Sequence, residues 1–248
     1  MIYMVACSKG GVGKTTLNLN VAVHLALHGR RVCLVDADGQ QHLNAWATKR
    51  LDRWPDLPRI DCRVMAGRIK GPLEALARDF DDLVVDAAGA DLQELRSGMR
   101  AAHVIVMPFA AGQFELYAVE KMDELLAEAR ESNPQLKALA MLNKASSNWV
   151  MSRSARAAID FIDQFPSMRR ATTLIHYRQA PFDACGAEGL SVFELGRGAA
   201  KAADEVAALV QEANDLLEGV DANRTDEGED GRGVGGGGSS GRPPIGQA

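Results

Sequence analysis

Aromatic residues are scarce in this chain, at 5%, so the sizeable core that 46% hydrophobic residues can build is mainly aliphatic. There are four cysteines (Cys7, Cys33, Cys62 and Cys185), and no two stand as C-x-x-C. Without paired thiols, metal or iron–sulfur ligation is not expected of them. Cys7 and Cys33 fall in apolar runs and read as core fillers of a protein kept in a reducing cytoplasm. No apolar run approaches the roughly 20 residues that a membrane span needs, and the N-terminus lacks the basic region and long apolar stretch of a secretion signal. Positive charge is short as well. The net charge is −5, and the stretch from Asp221 onward holds five acids against three arginines. A globally basic nucleic-acid coat is therefore excluded, and any DNA contact must come from a local patch. The 248 residues suffice for one α/β domain or two small ones.

What the chain does have begins at residue 9. Lys9-Gly10-Gly11-Val12-Gly13-Lys14-Thr15-Thr16 follows an apolar run, Ile2 to Cys7, and leads into a helical pattern over 14–28 that Gly29 stops. Strand, glycine loop and helix in that order are the setting that a phosphate-binding loop requires. Glycines at 10, 11 and 13 let backbone N–H groups turn inward, and the helix N-terminus adds partial positive charge. In such a loop Lys14 reaches the β- and γ-phosphates and the Thr15 hydroxyl ligates Mg²⁺. A nucleoside triphosphate and Mg²⁺ are the ligands expected of such a loop.

Apolar strand-like runs recur at 2–7, 31–36, 83–87, 103–107, 138–142 and 172–175, with helical patterns between them at 14–28, 72–79, 90–100, 114–131, 151–163 and 199–218. That alternation predicts a single P-loop α/β domain over 1–219, with a mostly parallel sheet covered by helices on both faces. The strands run on in Val, Ile and Leu without polar alternation, as strands buried on both sides do. Ligands of such sheets bind beyond the carboxyl ends of the strands. From 220 to 248 the chain turns acidic and glycine-rich, with too few apolar groups to offset the entropy of ordering, and a disordered tail is expected.

Acids stand at two strand ends beside the loop. Asp36 and Asp38 close Leu34-Val35-Asp36-Ala37-Asp38, and Asp86 closes Leu83-Val84-Val85-Asp86. Strand alternation puts Asp36 and Asp38 on one side, so both can face a nucleotide. Asp38 is assigned to orienting the attacking water and to the metal, and Asp86 to the second shell of Mg²⁺; capping of the next helix is the alternative for either. Asn143, after the run 138–142, can offer donor and acceptor to an adenine edge, or it is a plain turn residue. A phosphate loop needs only one lysine. The extra one, Lys9, either crosses to a neighbouring subunit's phosphates, as an arginine finger does, or is a solvated surface cation.

With these residues in hand, a resemblance is specific. Lys9 through Thr16 resembles the deviant Walker A signature of the ParA/MinD family, Asp36-Ala37-Asp38-Gly39-Gln40 its second acidic motif, and Asp86 its Walker B aspartate. The similarity covers residues 1–218 and is strongest to the small plasmid-partition ParA proteins of the ParF type, whose stretches like Val85–Ala90 and Ser191–Glu194 also look similar. Gly39 stands where a proline is common, as do Ala87 and Ala88; these departures bear on loop stiffness and leave the acids intact. The resemblance implies slow ATP hydrolysis stimulated by a ParB-like partner or cargo adaptor. It also implies an ATP-state homodimer in which Lys9 contacts the partner's nucleotide, and nonspecific binding to nucleoid DNA in the cytoplasm. The cargo it implies is foremost plasmid or chromosomal DNA. The alternative is a protein cargo, either a carboxysome-like organelle or a chemoreceptor cluster.

The DNA surface is expected among Arg153, Arg156, Arg169, Arg170, Arg178, Arg197 and Lys201 in the C-terminal third, with Arg197 and Lys201 at i,i+4 on one helix face. Phosphate-only contacts of this kind give weak, salt-sensitive binding, with Kd of roughly 10⁻⁴–10⁻⁶ M. For any one of these arginines the alternative is a solvated helix face. A membrane-cycling MinD-like role would need a basic amphipathic C-terminus, and the acidic, glycine-rich end speaks against it. A cluster-carrying reductase lacks its paired cysteines, and a small-molecule kinase would leave Lys9 without a role.

Overall fold

A computed structural model describes residues 1–87, 89, 93–110, 116–146 and 153–219. The expected tail over 220–248 lies outside the described residues, as do the starts of the helices expected from 90, 114 and 151. The elements are β1 (Ile2–Val5), α1 (Lys14–Leu27), β2 (Val32–Ala37), α2 (His42–Arg53), β3 (Asp61–Val64), α3 (Lys70–Leu76), β4 (Asp82–Ala87) and α4 (Gln93–Met99). They continue with β5 (Val104–Ala110), α5 (Leu116–Ser132), β6 (Lys137–Ala145), α6 (Arg153–Ile162), β7 (Arg169–Arg170), β8 (Ile175–His176), α7 (Gln179–Glu188) and α8 (Ala200–Glu218). All strand pairs are parallel, in the order β3-β2-β4-β1-β5-β6-β7, with β8 also beside β6. Among the described residues no helix is long and apolar enough to cross a membrane.

Strand alternation divides the interior into two cores. Ile2 and Met4, Cys33 and Val35, and Leu83 and Val85 face α3, α4 and α5. Tyr3 and Val5, Leu34, and Val84 face α1, α2 and α8. Asp36 and Asp86 share the parity of Leu34 and Val84, so both lie on the α1 side, and the register sets them directly opposite each other. The fold thus delivers Asp86 to the start of α1, with Asp36 beside it on β2.

Three elements lie where no pattern announced them. Helix α2 packs mainly through Leu43, Trp46 and Ala47 on an otherwise polar helix. Strand β3 is a half-exposed edge, and α7 carries Pro181 and Gly186. The strand expected at 172–175 is corrected to the two-residue β7 and β8. Between them the N–H groups of Thr172 and Thr173 donate to the Glu212 carboxylate on α8, at 2.7 and 3.1 Å, instead of to a neighbouring strand.

Candidate nucleotide-binding site

The turn between β1 and α1 forms because glycine tolerates what other residues resist. Gly11 and Gly13 stand at φ 73° and 91°, in the left-handed region. Gly13 also caps α1, with no side chain bonding the first-turn N–H groups and no acid in that turn, so the positive end of the helix dipole opens into the loop. A Cβ at Gly13 would stand 2.5 Å from Asn143 Nδ2. Lys14 is nearly buried, and its ammonium donates to the Lys9 carbonyl at 2.9 Å.

Thr15 Oγ1 donates to Asp86 Oδ2 at 2.6 Å, and Asp86 Oδ1 is buried without a hydrogen-bond partner. Burial above all, then the charges of Asp36 and Asp38, push the Asp86 carboxyl up to about 7 against the opposing influence of Thr15 and Lys14. A buried hydroxyl–carboxylate pair with an unpartnered oxygen, at the mouth of a phosphate-type loop, fits a hard divalent cation such as Mg²⁺. Asp36, which its parity allowed to face a nucleotide, has both oxygens engaged by the backbone. Its two oxygens accept the N–H groups of Asp38 (3.1 Å) and Asn44 (2.8 Å), so it fastens the turn into α2. Asp38 lies on that turn, half-buried, and one of its oxygens accepts from the Gln40 N–H at 3.0 Å.

Asn143 is brought to the loop, where each end of its amide makes one hydrogen bond and keeps a second position. Nδ2 donates to the Val12 carbonyl at 2.7 Å, and Oδ1 accepts the Lys144 N–H at 2.9 Å. These two contacts make Asn143 a strut under the loop. Lys144, which sequence reasoning passed over, holds a left-handed φ of 56° and donates its ammonium to the Gly11 carbonyl at 2.8 Å. A trans peptide points its C=O and the next N–H in opposite directions. Drawing the Gly11 and Val12 carbonyls toward β6 thus turns the Val12 and Gly13 N–H groups the other way, into the loop. Gly89 is a second omission: a Cβ there would come within 2.9 Å of the Cys7 carbonyl and 3.0 Å of Lys14 Nζ. A glycine three positions past a strand-end aspartate was the available signal.

Beside Gly13 and Thr16 opens a cavity of about 180 Å³, walled across from Asn143 and Lys144 by His176, Tyr177, Arg178 and Gln179. The cavity adjoins the phosphate-type loop through Gly13 and Thr16, at the carboxyl end of the sheet. The family model of the CobQ/CobB/MinD/ParA nucleotide-binding domain matches residues 3–229. The chain belongs to that family.

Among relatives, the Maintenance of carboxysome distribution protein A of Halothiobacillus neapolitanus is 32% identical, over 84% of this chain and 94% of its own length. The chromosome-partitioning ATPase Soj of Thermus thermophilus is 33% identical, over 55% of this chain and 66% of its own. An ATP complex of McdA from Cyanothece shares the fold, with a TM-score of 0.67 at 15% identity, covering 89% of this chain and 96% of that one. So does cobyrinic acid a,c-diamide synthase from Mycobacterium smegmatis with an ATP analogue and magnesium, with a TM-score of 0.64 at 21% identity, covering 85% and 94%.

The basic residues expected on DNA are differently engaged in this ParA/MinD-type domain. Arg170 pairs with Asp163 (2.8 Å), and Arg178 is gripped by Glu205 through both terminal nitrogens (2.5 and 2.7 Å). Arg197 and Lys201 are exposed but do not share an α-helical face. Arg197 sits in a 3₁₀ turn after Gly196 (φ 74°), and α8 begins only at Ala200. Arg169 is half-buried in β7, and Arg156 is exposed on α6. Arg153 starts α6, and its side chain lies outside the described residues.

Proposed function

We propose that the chain is a ParA-type ATPase that binds ATP with Mg²⁺, dimerises in that state, attaches to nonspecific DNA and positions a cargo on it. What carries this reading is the convergence of the Lys14 ammonium, the Thr15 hydroxyl and the unpartnered Asp86 oxygen on a loop whose N–H groups are turned inward. Thr15 and Asp86 would hold Mg²⁺, whose charge offsets that of the phosphates. Lys14 would neutralise phosphate oxygens as it leaves the Lys9 carbonyl. Asp38, on the turn that Asp36 fastens, would orient the attacking water. Lys9 would reach the partner's nucleotide, making dimerisation a readout of the bound state.

Of the cargoes considered, the carboxysome-distribution relative favours a protein assembly, because the likeness runs along nearly all of its length, whereas that to Soj covers two-thirds at most. DNA cargo is the second reading, supported by Soj. A ParB-like partner or cargo adaptor would stimulate hydrolysis.

Size-exclusion chromatography with ATP tests the switch. Asp38→Ala should give a stable dimer, and adding Lys9→Ala should return it to monomer; a dimer that persists would refute the in-trans role. Co-sedimentation with duplex DNA should require ATP and fail with ADP. Deleting the gene in the host separates the cargoes: clustering of a protein assembly supports the first reading, and plasmid or chromosome loss supports the second.

A further inference from the structure

Helix α8 is packed on the second core through Ala202, Val206, Leu209, Val210 and Ala213. Beside that apolar stripe it directs two carboxylates, seven residues and two turns apart, at the segment between β7 and α7. Glu212 holds the Thr172 and Thr173 N–H groups. Glu205 accepts the His176 N–H (3.0 Å), meets His176 Nδ1 (2.7 Å) and takes the two-pronged Arg178 guanidinium. The segment's other anchors are the two-residue β8 beside β6, the Tyr177 N–H on the Ala145 carbonyl (2.8 Å) and the buried Ile175. His176, Tyr177, Arg178 and Gln179 wall the cavity beside Gly13 and Thr16.

We infer that Glu205 is a positioning residue for nucleotide binding: from α8 it sets, through Arg178 and His176, the wall against which the nucleoside half of the ligand rests. The inference builds on the proposal that phosphates occupy the loop, and it assigns the neighbouring cavity's wall to a helix that never touches the ligand. A carboxylate with four hydrogen bonds to two residues of one segment, His176 and Arg178, is a fixed strut, not a fluctuating surface ion pair. Its partial burial works to raise its carboxyl, but Arg178 and the His176 N–H prevail and hold it below the ordinary range. Arg178 thus spends both terminal nitrogens on Glu205.

The test uses the full-length chain with three probes: ATP, ADP and inorganic tripolyphosphate, which occupies the loop alone. Glu205→Gln should weaken ATP and ADP binding by roughly tenfold, the worth of one hydrogen bond to a charged group, and leave tripolyphosphate binding unchanged. The loss should fall on KM rather than kcat, and Arg178→Lys, which keeps charge but not the fork, should show the same pattern more weakly. Equal weakening of tripolyphosphate would mean that Glu205 only stabilises the fold, and unchanged ATP affinity would mean that the wall does not matter; either overturns the inference. If the wild-type chain binds ATP no better than tripolyphosphate, the cavity holds no nucleoside. If it binds neither, the phosphate-loop proposal itself fails.

Discussion

Asp86→Asn should make the protein more stable while disabling it. The Asp86 carboxyl holds its proton up to about 7 in the folded chain, against 3.8 ordinarily. As pH rises from 3.8 toward 7 the unfolded chain gives up this proton and the folded chain keeps it, so the folded state binds more protons and loses stability across that window. Above pH 7 the penalty is complete, at about 4 kcal/mol by the proton linkage. An asparagine carries no charge to desolvate and can still accept from the Thr15 hydroxyl, 2.6 Å from the present oxygen. Its amide N–H would sit where Oδ1 now lacks a partner, costing about 1–2 kcal/mol. The net gain at pH 8 is therefore about 2–3 kcal/mol, or roughly 5–10 °C in Tm for a domain of this size. At pH 5 only about 1.5 kcal/mol of the penalty has accrued, which the amide cost offsets, so the gain should vanish. Differential scanning fluorimetry without Mg²⁺ or nucleotide, at both pH values, measures this. In parallel, Mg²⁺-dependent ATP hydrolysis should fall by at least about a hundredfold. A variant less stable than wild type at pH 8, or one with the same Tm change at both pH values, would refute the claim that this carboxylate is held at a cost.

Gly13→Ala should lose about 2–4 kcal/mol by chemical denaturation, because its Cβ would stand 2.5 Å from Asn143 Nδ2 at a φ of 91°, combining left-handed strain with a broken buried hydrogen bond. Asn143→Ala and Lys144→Ala, which release the Val12 and Gly11 carbonyls, should weaken ATP and tripolyphosphate alike by roughly tenfold and leave the ATP-to-GTP preference unchanged, as competition titrations would show. A change in base preference would assign Asn143 to reading the base. Burial, with the charge of the neighbouring His28 adding to it, pushes His24 down to about 4 from 6.5. Between those values only the unfolded chain takes up the proton, so stability is lost as pH drops from 6.5 toward 4. His24→Gln should flatten the decline, by about 1 kcal/mol once solvent screening of a half-exposed ring is allowed for, in Tm measured from pH 7 to 4.5.

The parallel sheet, the phosphate loop and the strand-end acids were legible in the sequence because each rests on local chemistry. Unbroken Val, Ile and Leu runs specify strands buried on both sides. Glycines at 11 and 13 specify a turn that other residues resist, and the parity of Asp86 with Val84 specifies which face its carboxylate takes. What the tertiary structure alone decided is how polar groups distant in sequence are spent. Asp36 shares the parity of Asp86, yet folding gives its oxygens to two backbone N–H groups, one of them eight residues away. Asn143 meets Val12 across 131 positions, and Arg178 meets Glu205 across 27. A polar side chain's type says what it can bond. Only the packed chain says which partner reaches it first once water is excluded, and a hydrogen bond made inside the fold is one fewer for a ligand or for DNA.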